Sequence, residues 1–396
     1  MKLEIKNHKL ISKLTFILFS CLVFVAALVY MQNNVLLQLL SNAELSTLSN
    51  VSASTKDLFG VDLPQNIAYA PYWFVASLTL SLFNTAYLTA ALFMLSAAML
   101  LSICFYMYHR SWPAFVITLL FATLSSGLTL SYGLRPELLL LLQFYIGFWG
   151  FLGTYRGKGI GLLAVFGAIL LGLLLGFFGW LFSLTYVLFL IVSYSHKTTR
   201  QSLARLDPVS WGIVVGGTIL LVAPWIYLLL NGYVYEVQLP DFNIFKNAQE
   251  FGKLLLLGST DNPFFWSQNW PLYSVGGLLL NIAGITALWF WREASRNKFM
   301  LMWYTFGLAL PVILGVSLSS MVVLIALQPF IMVAGLRLMH ERWLRVFPLN
   351  PTAHKISIGL LSLVLLIIGA FHINRQLDYL PQLEEFNARY SYSQPQ

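Results

Sequence analysis

Apolar residues run through this chain in blocks about as long as a lipid bilayer is thick. A helix needs about 20 apolar residues to cross the hydrocarbon core of a membrane. Blocks that meet this requirement lie near residues 11–30, 87–108, 113–132, 137–155, 160–176, 178–195, 209–230, 272–291, 299–317, 321–338 and 356–373. The pattern therefore predicts an all-α integral membrane protein with about eleven transmembrane helices.

Three longer polar segments interrupt or follow these blocks: residues 31–86, residues 231–271 and the tail 374–396. Within the first segment, residues 67–83 are apolar enough to span, but they contain Pro71 and several aromatic residues, among them Tyr72 and Trp73. Aromatic rings with one wet edge suit the headgroup layer. Residues 67–83 are therefore either a transmembrane span or a helix that lies in the interface.

The distribution of Lys and Arg decides between these alternatives. With an interfacial helix and a cytoplasmic N-terminus, 17 of the 23 basic residues fall on the cytoplasmic side. The six outer ones are then Lys56, Arg135, Lys246, Lys253, Arg375 and Arg389. A spanning 67–83 would move every later loop to the opposite side and leave most basic residues outside, contrary to the positive-inside rule. We therefore predict one polytopic domain over residues 1–396, with an interfacial helix at 67–83 in the first outer loop, a second outer loop at 231–271 and an outer C-terminal tail at 374–396.

The region 159–195 is too long to be one span. As a single helix it would measure about 55 Å, almost twice the thickness of the hydrocarbon core. We predict a hairpin of two short spans instead. Gly172 and Gly176 permit close helix packing, and Gly176 with Gly179 suits the outer turn.

Composition agrees with lipid as the solvent. The chain is 58% hydrophobic and only 10% charged, with a mean hydropathy of +0.75, beyond what a soluble domain of this size hides from water. The net charge of +8 arises from basic clusters between apolar blocks, which favours membrane topology over nucleic-acid binding. The first block follows a basic stretch like a signal peptide, but residues 31–34 offer no small-residue cleavage site, so we predict a retained anchor. Cys21 and Cys104 are predicted to pack as small hydrophobic residues.

Motifs of soluble enzymes are missing from the sequence. It has no Gly-rich nucleotide loop ending in Lys-Ser or Lys-Thr, no His-Glu-x-x-His and no cysteine pair with metal spacing. These gaps argue against ATP-driven transport. We therefore predict no metal-binding residues, and the sequence leaves open whether the protein uses a divalent metal as a cofactor.

The outer corner between two spans carries Arg135 and Glu137 on either side of Pro136. One interpretation is structural: Pro136 takes the first helical position and Glu137 favours the positive end of the helix. That interpretation leaves Arg135 unexplained. The alternative is that Arg135 binds an anionic ligand.

Charged residues of the outer loops are the other candidates for chemistry. Glu44, Asp57 and Asp62 lie in the first loop, where a carboxylate held just above the bilayer can act as a general base. The simpler interpretation of each carboxylate is an ordinary solvated surface charge. Lys253, in the second loop, and Arg135 can each neutralise a lipid phosphate at the interface.

The order of these features resembles the GT-C glycosyltransferases, in particular the branch of protein O-mannosyltransferases and lipid A aminoarabinose transferases. The resemblance runs over roughly residues 10–340. Besides the early acidic loop and the Pro-aromatic helix, it rests on three motifs: Leu134-Arg135-Pro136-Glu137, Ala223-Pro224-Trp225-Ile226-Tyr227 and Asn269-Trp270-Pro271-Leu272-Tyr273. Each motif is short, and their order, spacing and side of the membrane carry the likeness.

The resemblance implies a GT-C-like enzyme of a bacterial inner membrane that takes a sugar from a polyprenyl-phosphate donor. The acceptor would be a cell-envelope glycan, lipid or protein, approached from the outer face, with membrane lipids as further partners and no nucleic acid. The implied catalytic residues are Glu44, with Asp57 and Asp62 as alternatives. The implied substrate-binding residues are Arg135, Glu137, Lys253, Trp270 and Tyr273.

One departure from the family pattern keeps a second hypothesis open. Family members usually carry an Asp-Glu pair about 25 residues before the Pro-aromatic helix, whereas this chain has Ser41-Asn42-Ala43-Glu44. Glu44 matches by position, and Asn42 stands where the Asp would be. The alternative is therefore an inactive GT-C homologue that acts as a scaffold or lipid-binding subunit of an envelope complex. A flippase or transporter ranks third, because transport ordinarily uses ionisable residues in mid-membrane and the predicted spans have almost none.

Overall fold

The computed structural model describes residues 137–156, 159–194, 242–256, 275–348 and 350–374 continuously, and single positions between 72 and 108 and between 200 and 230. Every regular element in this described part is an α-helix. Four helices within it are long and apolar enough to cross a membrane: Glu137–Thr154, Arg296–Leu314, Leu318–Val346 and Pro351–Phe371. The all-α class predicted from the sequence is confirmed for these residues, and the four candidate spans fit the predicted membrane protein. The described residues fall into two compact units.

The first unit contains α1 (Glu137–Thr154), α2 (Gly159–Gly172) and α3 (Gly176–Tyr194). These helices match the blocks predicted at 137–155, 160–176 and 178–195 to within a few residues, and the two helices of the predicted hairpin are confirmed. Both α2 and the apolar part of α3 are shorter than the four candidate spans, so their crossing of a membrane stays a prediction. The turn lies at 173–175, and Gly176 follows it with a φ of 68°, a backbone conformation that glycine adopts without strain. Gly179 was wrongly predicted in the turn. It lies inside α3, where it packs closely against the backbone of Gly172 on α2.

Glycines set how closely the first three helices approach one another. A Cβ atom on Gly150 of α1 would lie 2.6 Å from the carbonyl oxygen of Gly161 on α2. A Cβ atom on Gly172 would overlap the side chains of Gln143 and Ser183. The predicted close packing at Gly172 is therefore confirmed, and backbones meet directly where a side chain would hold them apart.

Buried polar groups join α1 to α3. The Gln143 amide is fully buried and donates to the carbonyl of Gly179 at 3.1 Å and to the Ser183 hydroxyl at 3.2 Å. The Tyr186 hydroxyl donates to the carbonyl of Phe144 at 2.8 Å. Cys104 is a free, buried cysteine, as predicted, and its thiol lies 3.5 Å from the carbonyl oxygen of Tyr145. In the hydrocarbon core of a membrane no water competes for hydrogen bonds. The bonds of Gln143 and Tyr186 therefore fix the register of α1 against α3.

The second unit contains α4 (Ile244–Leu256), α5 (Val275–Phe290), α6 (Ser295–Leu314), α7 (Leu318–Val346) and α8 (Pro351–Asn374). Helices α5 to α8 match the predicted spans 272–291, 299–317, 321–338 and 356–373. Short connections make successive helices reverse direction. The end of α5, the start of α6, the end of α7 and the start of α8 therefore share one side of this unit, which we call the basic end.

Close contact between α5 and α7 forms the centre of the second unit. A Cβ atom on Gly284 of α5 would meet the backbone of Ile331 on α7, and one on Gly335 of α7 would meet the carbonyl of Leu280. Leu365 and Ile368 of α8 complete a buried apolar cluster with Leu280 and neighbouring residues of α7. Helices α5 and α7 can approach each other this closely because both carry glycine where they cross.

Helix α7 is longer than the span predicted from its hydropathy. It begins at a capping box in which Ser317 and Ser320 each accept a hydrogen bond from the other's backbone N–H, at 3.1 and 3.0 Å. It then runs for 29 residues and continues beyond Leu336 into a charged segment. Hydropathy reports where the apolar part of the helix ends, whereas the backbone hydrogen bonds of the helix continue beyond it.

Other predicted segments lie wholly or partly outside the described residues. The spans at 11–30 and 113–132 lie outside them, as do the tail from 375 onward and nearly all of the interfacial helix 67–83. Only single helical positions are described within 87–108 and 209–230. The single-domain organisation of residues 1–396 and the number of spans stay predictions.

Candidate membrane-interface site

The structure describes two of the predicted site residues, Glu137 and Lys253. They belong to different units. The others lie outside the described residues: Glu44, Asp57, Asp62, Arg135, Trp270 and Tyr273.

Glu137 is the first residue of α1. Pro136, which was predicted to take the first helical position, lies outside the described residues, so that part of the prediction is untested. The Glu137 carboxylate stands in the first described turn, where the N-terminal end of the helix dipole favours negative charge. Its predicted role in substrate binding stays a prediction, as does the role of Arg135.

Lys253 is exposed on α4, a helix that the sequence analysis missed by predicting only a loop at 231–271. The side chain of Asn243 accepts a hydrogen bond from the backbone N–H of Lys246 at 3.2 Å and so caps the helix. Asn247, Phe251 and Leu254 are buried on one face. The sequence does carry a signal for this helix, namely the Asn243 cap followed by the spacing of these three residues. A search for stretches of about 20 apolar residues does not detect an amphipathic helix of 13 residues.

Helix α4 is attached to one end of a membrane-spanning helix. The Asn247 amide donates to the carbonyl of Ile313, near the end of α6, at 3.4 Å. Beyond Leu314 the chain turns at Gly315, whose φ of 83° ends the helix. Because Arg296 and the basic end lie at the opposite terminus of α6, α4 is held at the other boundary of this candidate span.

The remaining surface of α4 has an apolar side and a charged side. Phe245 is 90% exposed, and Ile244 and Leu256 are more than half exposed. Lys246 and Lys253 lie on the charged side, where the Lys246 ammonium is 3.9 Å from a carboxylate oxygen of Glu250. A helix with exposed apolar side chains next to lysines is typical of one that lies in the plane of a membrane interface.

This geometry suits recognition of a lipid phosphate. An interfacial helix places lysine ammonium groups at the depth of lipid phosphates, where charge-assisted hydrogen bonds are strong. Within the described part of the chain, Lys253 has no ion-pair partner, so its charge is available to a ligand. No group of three or more His, Cys, Asp or Glu residues that could hold a metal ion occurs among the described residues.

Comparison with known proteins gives no relative: no family model, no curated protein and no solved structure matches this chain.

Proposed function

We propose that this protein is a GT-C-like glycosyltransferase of a bacterial inner membrane, with about eleven spans, a cytoplasmic N-terminus and an outer C-terminus. It would move a sugar from a polyprenyl-phosphate donor to a cell-envelope glycan, lipid or protein on the outer face. The sequence resemblance suggests this reaction. The structural observation that carries the proposal is α4, which presents Lys253 beside exposed apolar residues at the boundary of a span.

The reaction would be a direct displacement at the anomeric carbon. A carboxylate of the first outer loop, Glu44 in this proposal, takes the proton of the acceptor hydroxyl. The acceptor oxygen then bonds to the anomeric carbon as the bond between that carbon and the phosphate oxygen breaks. Arg135 and Lys253 are the candidates to stabilise the negative charge on the departing polyprenyl phosphate.

A scaffold or lipid-binding subunit is the second candidate function. It is favoured by Asn42, which stands where the family carries an acidic residue. Such a protein would bind the same lipid phosphate through α4 without transferring a sugar. A flippase or transporter is the third candidate and has less support, because the buried polar side chains of the described helices are amides and hydroxyls.

Sugar transfer and donor binding, measured on the same variants, separate the first two candidates. The purified full chain in lipid nanodiscs would be given radiolabelled undecaprenyl-phosphate mannose or aminoarabinose, with an envelope extract as acceptor. Glu44→Gln keeps the shape of the side chain but removes the base, so we expect transfer to fall by about 10²–10⁴-fold while donor binding survives. Arg135→Ala and Lys253→Ala should instead weaken donor binding, and Lys298→Ala, at the basic end, is the matched control.

The other outcomes are informative. Full activity of Glu44→Gln together with loss in Asp57→Asn or Asp62→Asn would keep the enzyme and replace its base. If none of the three carboxylate variants, at Glu44, Asp57 and Asp62, matters and no transfer occurs with either donor, the scaffold replaces the enzyme. Equal donor binding by wild type, Arg135→Ala and Lys253→Ala would remove the phosphate site.

A further inference from the structure

The basic end of the second unit has a strong excess of positive charge. Six exposed basic residues come from the α5–α6 connection, the first turn of α6 and the last part of α7: Arg292, Arg296, Lys298, Arg337, Arg342 and Arg345. The described acidic residues in these segments are Glu293 and Glu341. This end lies at the boundary of the candidate spans α6 and α7, where anionic headgroups are a source of negative charge beyond these two carboxylates.

Two of these arginines are already committed to groups of the protein. Arg296 donates to the carbonyl of Tyr108 at 3.0 Å. Arg337 donates to a carboxylate oxygen of Glu341 at 2.7 Å while it lies over the ring of Trp291. Their positive charges therefore stabilise the join between helices and are less available to a ligand.

Arg292 and Arg342 differ because, in the described part of the chain, the contacts of their guanidinium groups are with aromatic rings. The guanidinium of Arg292 lies 4.6 Å from the ring centroid of Trp289, and that of Arg342 lies 5.7 Å from the ring centroid of Phe290. A guanidinium that rests on a ring face keeps its N–H donors in its own plane, so it can still bind phosphate oxygens in bidentate fashion. The rings hold both arginines in place without consuming their donors.

The surroundings of this pair suit a lipid better than a free anion. Trp289 and Phe290 are consecutive residues at the end of α5, so one helix end supports an arginine from its own connection and another from α7. Each of these two residues is 59% exposed, and Val346, farther along α7, is 68% exposed. Exposed aromatic and aliphatic groups beside a cationic pair match a ligand with both a phosphate and acyl chains.

We infer that Arg292 and Arg342, supported by Trp289 and Phe290, form a binding site for the phosphodiester of an anionic glycerophospholipid. The site lies at the boundary of the membrane opposite α4. It does not depend on the proposed sugar transfer.

Native mass spectrometry of the full chain in detergent tests this site, with phosphatidylglycerol as the probe and phosphatidylcholine as the neutral lipid. We expect one phosphatidylglycerol to bind in preference, and the double variant Arg292→Gln/Arg342→Gln to bind it about tenfold more weakly. The matched control is Arg345→Gln on α7, which removes one charge without removing a ring contact and should change binding by less than about twofold.

Two further experiments distinguish a specific lipid site from general attraction to positive charge. Arg342→Lys keeps the charge but loses the planar fork, so it should lose part of the affinity. Inorganic phosphate should not displace the bound lipid, because it lacks acyl chains. Equal binding of phosphatidylglycerol by wild type and the double variant, or an Arg345→Gln loss as large as that of the double variant, would overturn the inference. Full affinity in Arg342→Lys, or displacement of the lipid by inorganic phosphate, would show attraction to positive charge alone and would also overturn the inference.

Discussion

At the scale of single residues, the described helices are specified by small side chains and buried polar groups. Gly150, Gly172 and Gly284 occupy positions where a neighbouring helix leaves no room for a Cβ atom. Gln143 supplies a buried amide that ties α1 to α3. The sequence predicted close packing at Gly172, because two glycines four residues apart in an apolar block suggest it. It did not indicate the partners of Gln143, since they depend on how two helices are aligned.

Replacing Gly284 with alanine should destabilise the second unit. The new methyl group would collide with the backbone of Ile331, and backbone cannot move aside as a side chain can. Overpacking of this kind costs about 1–3 kcal/mol. We expect a lower midpoint for thermal unfolding of the purified protein in detergent.

Gly359→Ala on α8 is the matched control, because a Cβ atom there meets nothing within 4 Å. In a helix interior this substitution stabilises by up to about 1 kcal/mol. If Gly284→Ala unfolds at the same temperature as Gly359→Ala, or higher, the close crossing of α5 and α7 is wrong.

At the scale of elements, the long spans could be predicted from hydropathy, and the short amphipathic helix could not. Helices α1, α6, α7 and α8 each contain an apolar stretch long enough to cross a bilayer. Helix α4 mixes apolar residues with charged and amide residues, which lowers its average hydropathy toward that of a loop. The spacing of its apolar residues indicates an amphipathic helix, but the partner of its buried face becomes visible only when Asn247 is placed against the end of α6.

Lipid should be in contact with the apolar side of α4. Ala248 and Lys246 are both exposed, and residues two apart on a helix point about 200° from each other. Nitroxide labels on Ala248→Cys and Lys246→Cys, in a background without Cys21 and Cys104, report the surroundings of these two positions. We expect the label at 248 to collide mainly with oxygen dissolved in lipid, and the label at 246 with a water-soluble nickel complex. Equal access of the nickel complex to both labels would show that α4 lies in water and not in the interface.

At the scale of the whole molecule, sequence reasoning predicted the all-α class and the positions of the described apolar helices. It also placed the candidate catalytic residues in outer loops, which lie outside the described residues, so the catalytic site stays a prediction. Hydropathy fixes where helices cross a membrane because it measures transfer of single segments into lipid. It says nothing of how loop residues meet over the membrane surface, because such contacts depend on tertiary structure.

The side of the membrane on which each loop lies decides the whole account, because every proposed catalytic and donor-binding residue must face outward. Reporter fusions to the full series of loops measure this directly. Fusions after Arg110, Lys158, Arg200 and Arg296 should report cytoplasm, and those near Asp57, near Lys246 and at the C-terminus should report the outer side. A cytoplasmic C-terminus, or a cytoplasmic reporter at Lys246, would contradict the account, because α4 and the proposed donor site would then face the wrong compartment.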